Sequence, residues 1–190
     1  MSGGHATALR PGTAVGLAAA GDRHLVLVGL PGAGKSTVGP RLAAALARPF
    51  LDFDAELERR TGLAVSEQFA RNGEAAFRAQ ERALTLELRD AVPMVLAPGG
   101  GWMADEVALA ALRPVARIVY LRVRPETALG RLGDGVATRP LLAGPDPLGA
   151  LTALLARRAA TYERADRTID ADGLDADAVA ARVLAALAVG

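Results

Sequence analysis

Residues 29–36 read Gly29-Leu30-Pro31-Gly32-Ala33-Gly34-Lys35-Ser36 and fit G-x-x-x-x-G-K-[ST]. That spacing suits the binding of a polyphosphate. Glycines let the backbone wrap a phosphate with its amides pointing inward, and a following helix N-terminus adds partial positive charge. Gly32, Ala33, Gly34, Lys35, Ser36 and Thr37 are therefore the candidate nucleotide-binding set. Lys35 is the only lysine among the 22 basic residues, the rest being arginine. A compact ammonium can sit between β- and γ-phosphates and follow the charge as it moves, where a planar guanidinium is bulkier. Ser36 offers a hydroxyl to Mg²⁺.

A pair of carboxylates follows, Asp52 and Asp54, flanking Phe53. Read as the end of a strand, alternation places both on one face, roughly 6 to 7 Å apart. One could hold Mg²⁺ or its water, and the other could orient or deprotonate a hydroxyl. The competing reading makes Asp54 a cap for the helix that begins at Ala55. Other candidates are ambiguous when taken alone. Arg78 could pair with Glu74 at i, i+4, Arg158 could lie on a solvated helix face, and Gly99-Gly100-Gly101 could be a simple turn.

Strands and helices must position these groups. From His24 onward, apolar runs of strand length alternate with segments of helical period, which predicts an α/β fold on a parallel sheet. Five strands are expected, at 24–29, 49–54, from Pro93, from Arg117 and from Arg167. Helices are expected over 36–47, 148–164 and 175–188. A helical block spans roughly 55–90, interrupted near Thr61-Gly62 and Asn72-Gly73, and reads as an inserted substrate-binding subdomain. Residues 132–147, dense in Gly and Pro, read as a lid over the site. Residues 1–23 read as a flexible N-terminal extension ahead of one domain over 24–190.

Composition narrows the function. A net charge of +1 gives no long-range attraction for nucleic acid or an anionic membrane surface. The absence of cysteine excludes disulfides, thiolate metal sites and a catalytic thiol. His5 and His24 are too few and too scattered for a histidine-based site. No stretch reaches the roughly 20 apolar residues of a membrane span, and a cytoplasmic protein is expected.

The motifs GLPGAGKSTVG, FLDFDAELERRTG, GEAAFRAQE, APGGG, RPLL and LARRAATYERAD, in this order, resemble shikimate kinase over about residues 24–188. That family belongs to the nucleoside-monophosphate-kinase-like P-loop group. The resemblance implies a three-layer P-loop kinase fold with a five-stranded parallel sheet, a helical substrate-binding insert and a lid. It also implies ATP-dependent phosphorylation of the 3-hydroxyl of shikimate, a step toward chorismate and the aromatic amino acids, by a monomer using Mg²⁺. Ser36 and Asp52 would hold the metal, and Asp54 would bind the shikimate hydroxyls and assist deprotonation. Arg78 and Arg158 would pin the carboxylate, each offering a planar fork of donors. Glu81 would support Arg78 from the same helix face, and Gly99, Gly100 and Gly101 would lie close to the ring. Arg139 in the lid would close over ATP and neutralise developing charge, and Arg131 would stack on adenine. Lys35, Asp54 and Arg139 would be the catalytic set.

Three positions depart from the family pattern: Pro98 stands where Thr is usual, Trp102 where an aliphatic residue or Ser is usual, and no proline lies between Arg158 and Tyr162. Of these, Trp102 could narrow the acceptor pocket. The alternatives are a related small-molecule kinase of the gluconate type and a non-catalytic ligand sensor on the same fold.

Overall fold

Strand β1 (His24–Val28) is buried at every position, as its run of Leu and Val requires of a strand covered on both faces. In the computed structural model, which describes residues 23–189, it is the centre of a five-stranded sheet. The expected extension thus lies outside the described residues, except for Arg23. The order is β2-β3-β1-β4-β5, and every pairing is parallel. The other strands are β2 (Phe50–Asp52), β3 (Val95–Ala97), β4 (Ala116–Arg122) and β5 (Arg167–Asp170).

Helices α1 (Lys35–Leu46), α2 (Phe53–Thr61), α3 (Val65–Leu88), α4 (Glu106–Leu112), α5 (Pro125–Leu132), α6 (Pro147–Tyr162) and α7 (Ala176–Ala188) connect and cover the strands. The carboxyl ends of β1, β2 and β3 lead into the phosphate loop, the acidic pair and the triple glycine. In a parallel sheet that end is where ligands bind.

Both interruptions of the 55–90 block are present. Gly62 caps α2 with φ 69, and Gly73 breaks α3 with φ 77 and ψ 168, a conformation that glycine alone adopts readily. The 132–147 segment holds two short 3₁₀ turns, Gly133–Val136 and Pro140–Leu142, anchored by buried Leu142. Helices α4 and α5 were not anticipated. Each is short, and the first is nearly all alanine, leucine and valine and so shows no clear polar face.

One local expectation is corrected. β2 ends at Asp52, not Asp54, and the alternation argument for the pair fails. Asp52 is the N-cap of α2, its Oδ1 accepting from the Asp54 amide at 3.0 Å and the Ala55 amide at 3.4 Å. Phe53 is fully buried, contributing about 2 to 3 kcal/mol, and so pins the start of the helix. Asp54 consequently occupies the first helical turn. Among the described residues, no helix is long and apolar enough to cross a membrane.

Candidate active site

The phosphate loop closes on itself through its lysine. Lys35 Nζ donates to the carbonyls of Gly29 at 3.0 Å and Leu30 at 3.1 Å. The surrounding protein desolvates the ammonium and lowers its pKa to about 8, an effect only partly offset by Asp54 and Asp52. Gly34 caps α1 at φ 98 and has no side chain to offer, so the first amides of the helix stay available for an anion. Ser36 Oγ donates to Asp52 Oδ2 at 2.5 Å. Two oxygen donors thus meet beside the lysine, a hard-ligand set of the kind Mg²⁺ takes alongside water and substrate phosphates.

A second set of charges gathers around the triple glycine. Arg78 donates through Nη1 to Glu81, and through Nε and Nη2 to Glu74 Oε1 at 3.2 and 3.0 Å. Its guanidinium also stands 5.6 Å from the Phe77 ring centroid and 6.0 Å from that of Phe69. Burial opposes charge on Arg78, but the two carboxylates outweigh it and raise its pKa. Glu81, 2% exposed, also accepts from the Gly99 amide at 3.1 Å. Burial pushes its carboxyl up while Arg78 pulls it back.

These neighbours leave little room for a side chain on the glycines. A Cβ on Gly99 would collide with the Glu81 carboxylate, and one on Gly100 would stand 3.0 Å from Arg158 Nη1. Tyr162 Oη donates to the Gly100 carbonyl at 2.6 Å, and its ring stacks on Tyr120 with centroids 4.9 Å apart. α6 runs unbroken to Tyr162, so this docking is made without the usual proline.

Two cavities result, of about 490 and 410 Å³. The larger is lined by the phosphate loop, Thr37, Asp52, Pro98, Arg131, and Leu174, Asp175 and Ala176 at the entry to α7. The smaller is lined by Glu58, Phe69, Phe77, Arg78, Leu141, Leu142 and Arg158. They share Pro31, Asp54, Gly99, Gly100 and Arg139. Asp54 and Arg139 therefore stand where the contents of one cavity meet those of the other. Burial holds the Asp54 carboxyl above its ordinary range, Asp52 adds to this, and Lys35, Arg139 and Arg78 oppose it. Arg139 Nε is buried without a partner.

Nearly every anticipated residue lines one cavity or both. Three do not: Ala33 is buried beneath the phosphate loop, and Glu81 and Gly101 stand behind the Arg78 wall. Trp102 corrects an expectation: it is 1% exposed in the core and narrows neither cavity. Arg131 reaches the larger cavity, but its guanidinium donates to the carbonyls of Ala33, Ala171 and Leu174. The sequence reading missed Glu58, Phe69 and Phe77. Glu58 lies one turn beyond Asp54, so helical spacing was the available signal for it, whereas Phe69 and Phe77 had none of that kind.

The shikimate kinase family profile matches residues 31–188. The chain belongs to the shikimate kinase family. It is 45% identical over 164 residues to the shikimate kinase of Moorella thermoacetica, covering 86% of this chain and 94% of that one. Among solved structures it resembles the shikimate kinase of Acinetobacter baumannii in complex with shikimate, with TM-score 0.83 and 36% identity over 87% of this chain and 92% of that one. A gluconokinase from Sinorhizobium meliloti, at TM-score 0.58 and 18% identity over 88% of this chain and 93% of that one, shares the fold alone.

Proposed function

We propose that this chain transfers the terminal phosphoryl group of ATP to the 3-hydroxyl of shikimate, giving shikimate 3-phosphate and ADP. The reading is carried by two cavities that meet at Asp54 and Arg139, with Lys35 and Ser36 in one and Arg78 and Arg158 in the other. ATP lies in the larger cavity, its phosphates in the loop from Gly32 to Thr37. Shikimate lies in the smaller, its carboxylate held by the two guanidinium forks and its reacting hydroxyl beside Asp54.

The hydroxyl oxygen forms a bond to the γ-phosphorus as the bond to the β–γ bridging oxygen breaks. Asp54, its basicity raised by burial, takes the hydroxyl proton. Lys35 and Arg139 neutralise charge spread over the transferred group, which is where most of the catalysis in such reactions arises. Ser36 and Asp52 would hold Mg²⁺, which would supply charge neutralisation to the phosphates. Residues 55–90 act as the acceptor-binding insert and 132–147 as the lid, since Thr138 to Leu142 wall the smaller cavity. We infer a monomer, since the reading assigns every role in the reaction to residues of one chain. We infer a cytoplasmic enzyme, where ATP is at hand.

ADP release coupled to a chromogenic readout, over a panel of shikimate, gluconate and nucleoside monophosphates with Mg-ATP, tests the reading. Turnover with shikimate alone is expected. No turnover with shikimate, or turnover only with another acceptor, overturns it.

A further inference from the structure

The loop that follows β3 is fastened to α3 at two levels. At the upper one, the Gly99 amide donates to Glu81 Oε1 at 3.1 Å. At the lower one, Trp102 Nε1 donates to Thr85 Oγ1 at 2.9 Å. Thr85 donates its own hydroxyl hydrogen bond to the Glu81 carbonyl at 2.8 Å, so its single donor is used and one of its lone pairs receives the indole. Trp102 and Thr85 are 1% and 0% exposed, and in such surroundings the loss of one hydrogen-bond partner leaves the other unsatisfied. Between the two levels lies Gly101, and against its backbone lies the Arg78 guanidinium. The indole therefore fixes the separation between loop and helix at the point where that separation sets the direction of Arg78.

We propose that Trp102, acting through Thr85, is a positioning residue for acceptor recognition: it holds α3 and the triple glycine in the register that aims Arg78 at the acid. This rests on the assignment of the smaller cavity to the acceptor. Neither side chain lines a cavity, so neither touches the substrate. Trp102 matters through its N–H as well as its bulk. Two different substitutions should then produce one kinetic signature.

Trp102→Phe keeps a ring in the core and removes the donor. Thr85→Val keeps the shape of the side chain and removes the hydroxyl, and Thr85→Ser restores it. Shikimate KM is expected to rise roughly three- to ten-fold in Trp102→Phe and Thr85→Val, the size of one neutral hydrogen bond. KM for ATP and kcat should stay within about two-fold, and Thr85→Ser should stay near the parent. In an Arg78→Ala background, Trp102→Phe should add less than about two-fold, because the residue through which it acts is gone. A fall in Tm with shikimate KM unchanged in both Trp102→Phe and Thr85→Val would overturn the proposal, as would fully additive effects with Arg78→Ala. If Trp102→Phe does not fold, the Thr85→Val and Thr85→Ser pair decides alone. Should Arg78→Ala itself leave shikimate KM unchanged, the acceptor assignment fails; if only the Trp102 and Thr85 variants are silent, the positioning role fails.

Discussion

The Arg78 guanidinium rests on the bare backbone of Gly101, where a Cβ would stand 2.9 Å from its central carbon and from Nη2. Gly101 has φ −95, which alanine adopts without strain, so the cost of Gly101→Ala is steric alone. The obstructing atoms belong to the end of a long side chain that can swing aside. We expect Gly101→Ala to fold with a Tm near the parent. Its shikimate KM should rise about ten-fold or more, since a displacement of about 1 Å can cost roughly 10²-fold. Steady-state kinetics against each substrate checks this, and an unchanged shikimate KM refutes it.

Arg78→Ala tests the same wall from the other side. Losing a charge-assisted fork should weaken shikimate binding by roughly 10 to 100-fold and leave ATP binding intact. It also leaves Glu81 buried and unpaired, a loss of about 3 kcal/mol, or roughly 6 to 12 °C in Tm. Burial already holds the Glu81 pKa above its unfolded value, and without Arg78 it moves further up. A group raised in the folded state loses its contribution as pH rises through the folded pKa, so the variant should be more stable near pH 5 than near pH 8. Arg78→Ala combined with Glu81→Gln should recover stability without recovering binding, as thermal scans and calorimetric titration would report.

The sheet was legible because most strands are short apolar runs with a helical segment after them, and β1, buried at all positions, is the plainest case. The breaks at Gly62 and Gly73 were legible too, since glycine interrupts helical period wherever the backbone turns left-handed. Asp54 was assigned to the site for a reason that does not hold. D-F-D alternates as a strand would, yet Phe53 is equally buried when it opens a helix, and one hydrophobic residue cannot distinguish period 2 from period 3.6. Trp102 shows the other limit. A large aromatic beside a glycine-rich turn reads as a pocket wall, and only the position of Thr85, 17 residues earlier on α3, turns it inward.

Lysine at position 35 is a matter of shape as well as charge. Its ammonium donates to two carbonyls of its own loop, and that loop is tight enough for a Cβ on Gly29 to approach the Leu121 carbonyl to 2.6 Å. A guanidinium brings five donors in a plane to a place that offers two acceptors. Lys35→Arg should therefore keep the fold and net charge while losing about 10²-fold or more in turnover. Activity within about ten-fold of the parent would mean that the solitary lysine reflects composition only.

Stability on the acidic side should depend on His24, far from the reaction. Its Nδ1 accepts from the Met94 amide at 3.2 Å, and protonation would replace that acceptor with a donor. Burial lowers its pKa, the Leu88 carbonyl opposes this, and Arg48 adds to it. A folded pKa below the unfolded one gives stability that is whole above about pH 6.5 and is lost as pH falls through the folded value. His24→Gln, which still presents an acceptor, should show a smaller drop in Tm between about pH 7.5 and 5.5 than the parent. Equal drops in both proteins would remove His24 from the account.

The activity profile should carry two signatures from the point where the cavities meet. Lys35, with a pKa lowered to about 8, must be charged to receive ATP, so kcat/KM for ATP should fall as pH rises through about 8. Once ATP is bound, its phosphates favour the charged lysine, and the descending limb of kcat should lie at higher pH than that of kcat/KM. Asp54 must be ionised to accept the hydroxyl proton. Its pKa is raised by burial and Asp52, so the acidic limb should lie above the range of an ordinary aspartate. Initial rates from about pH 5 to 10 resolve both limbs, and Asp54→Asn should remove the acidic one together with most turnover, about 10² to 10⁴-fold. A kcat/KM for ATP that stays flat from about pH 7 to 10 would show that Lys35 keeps its proton across that range, and the lowering of its pKa by burial would be refuted.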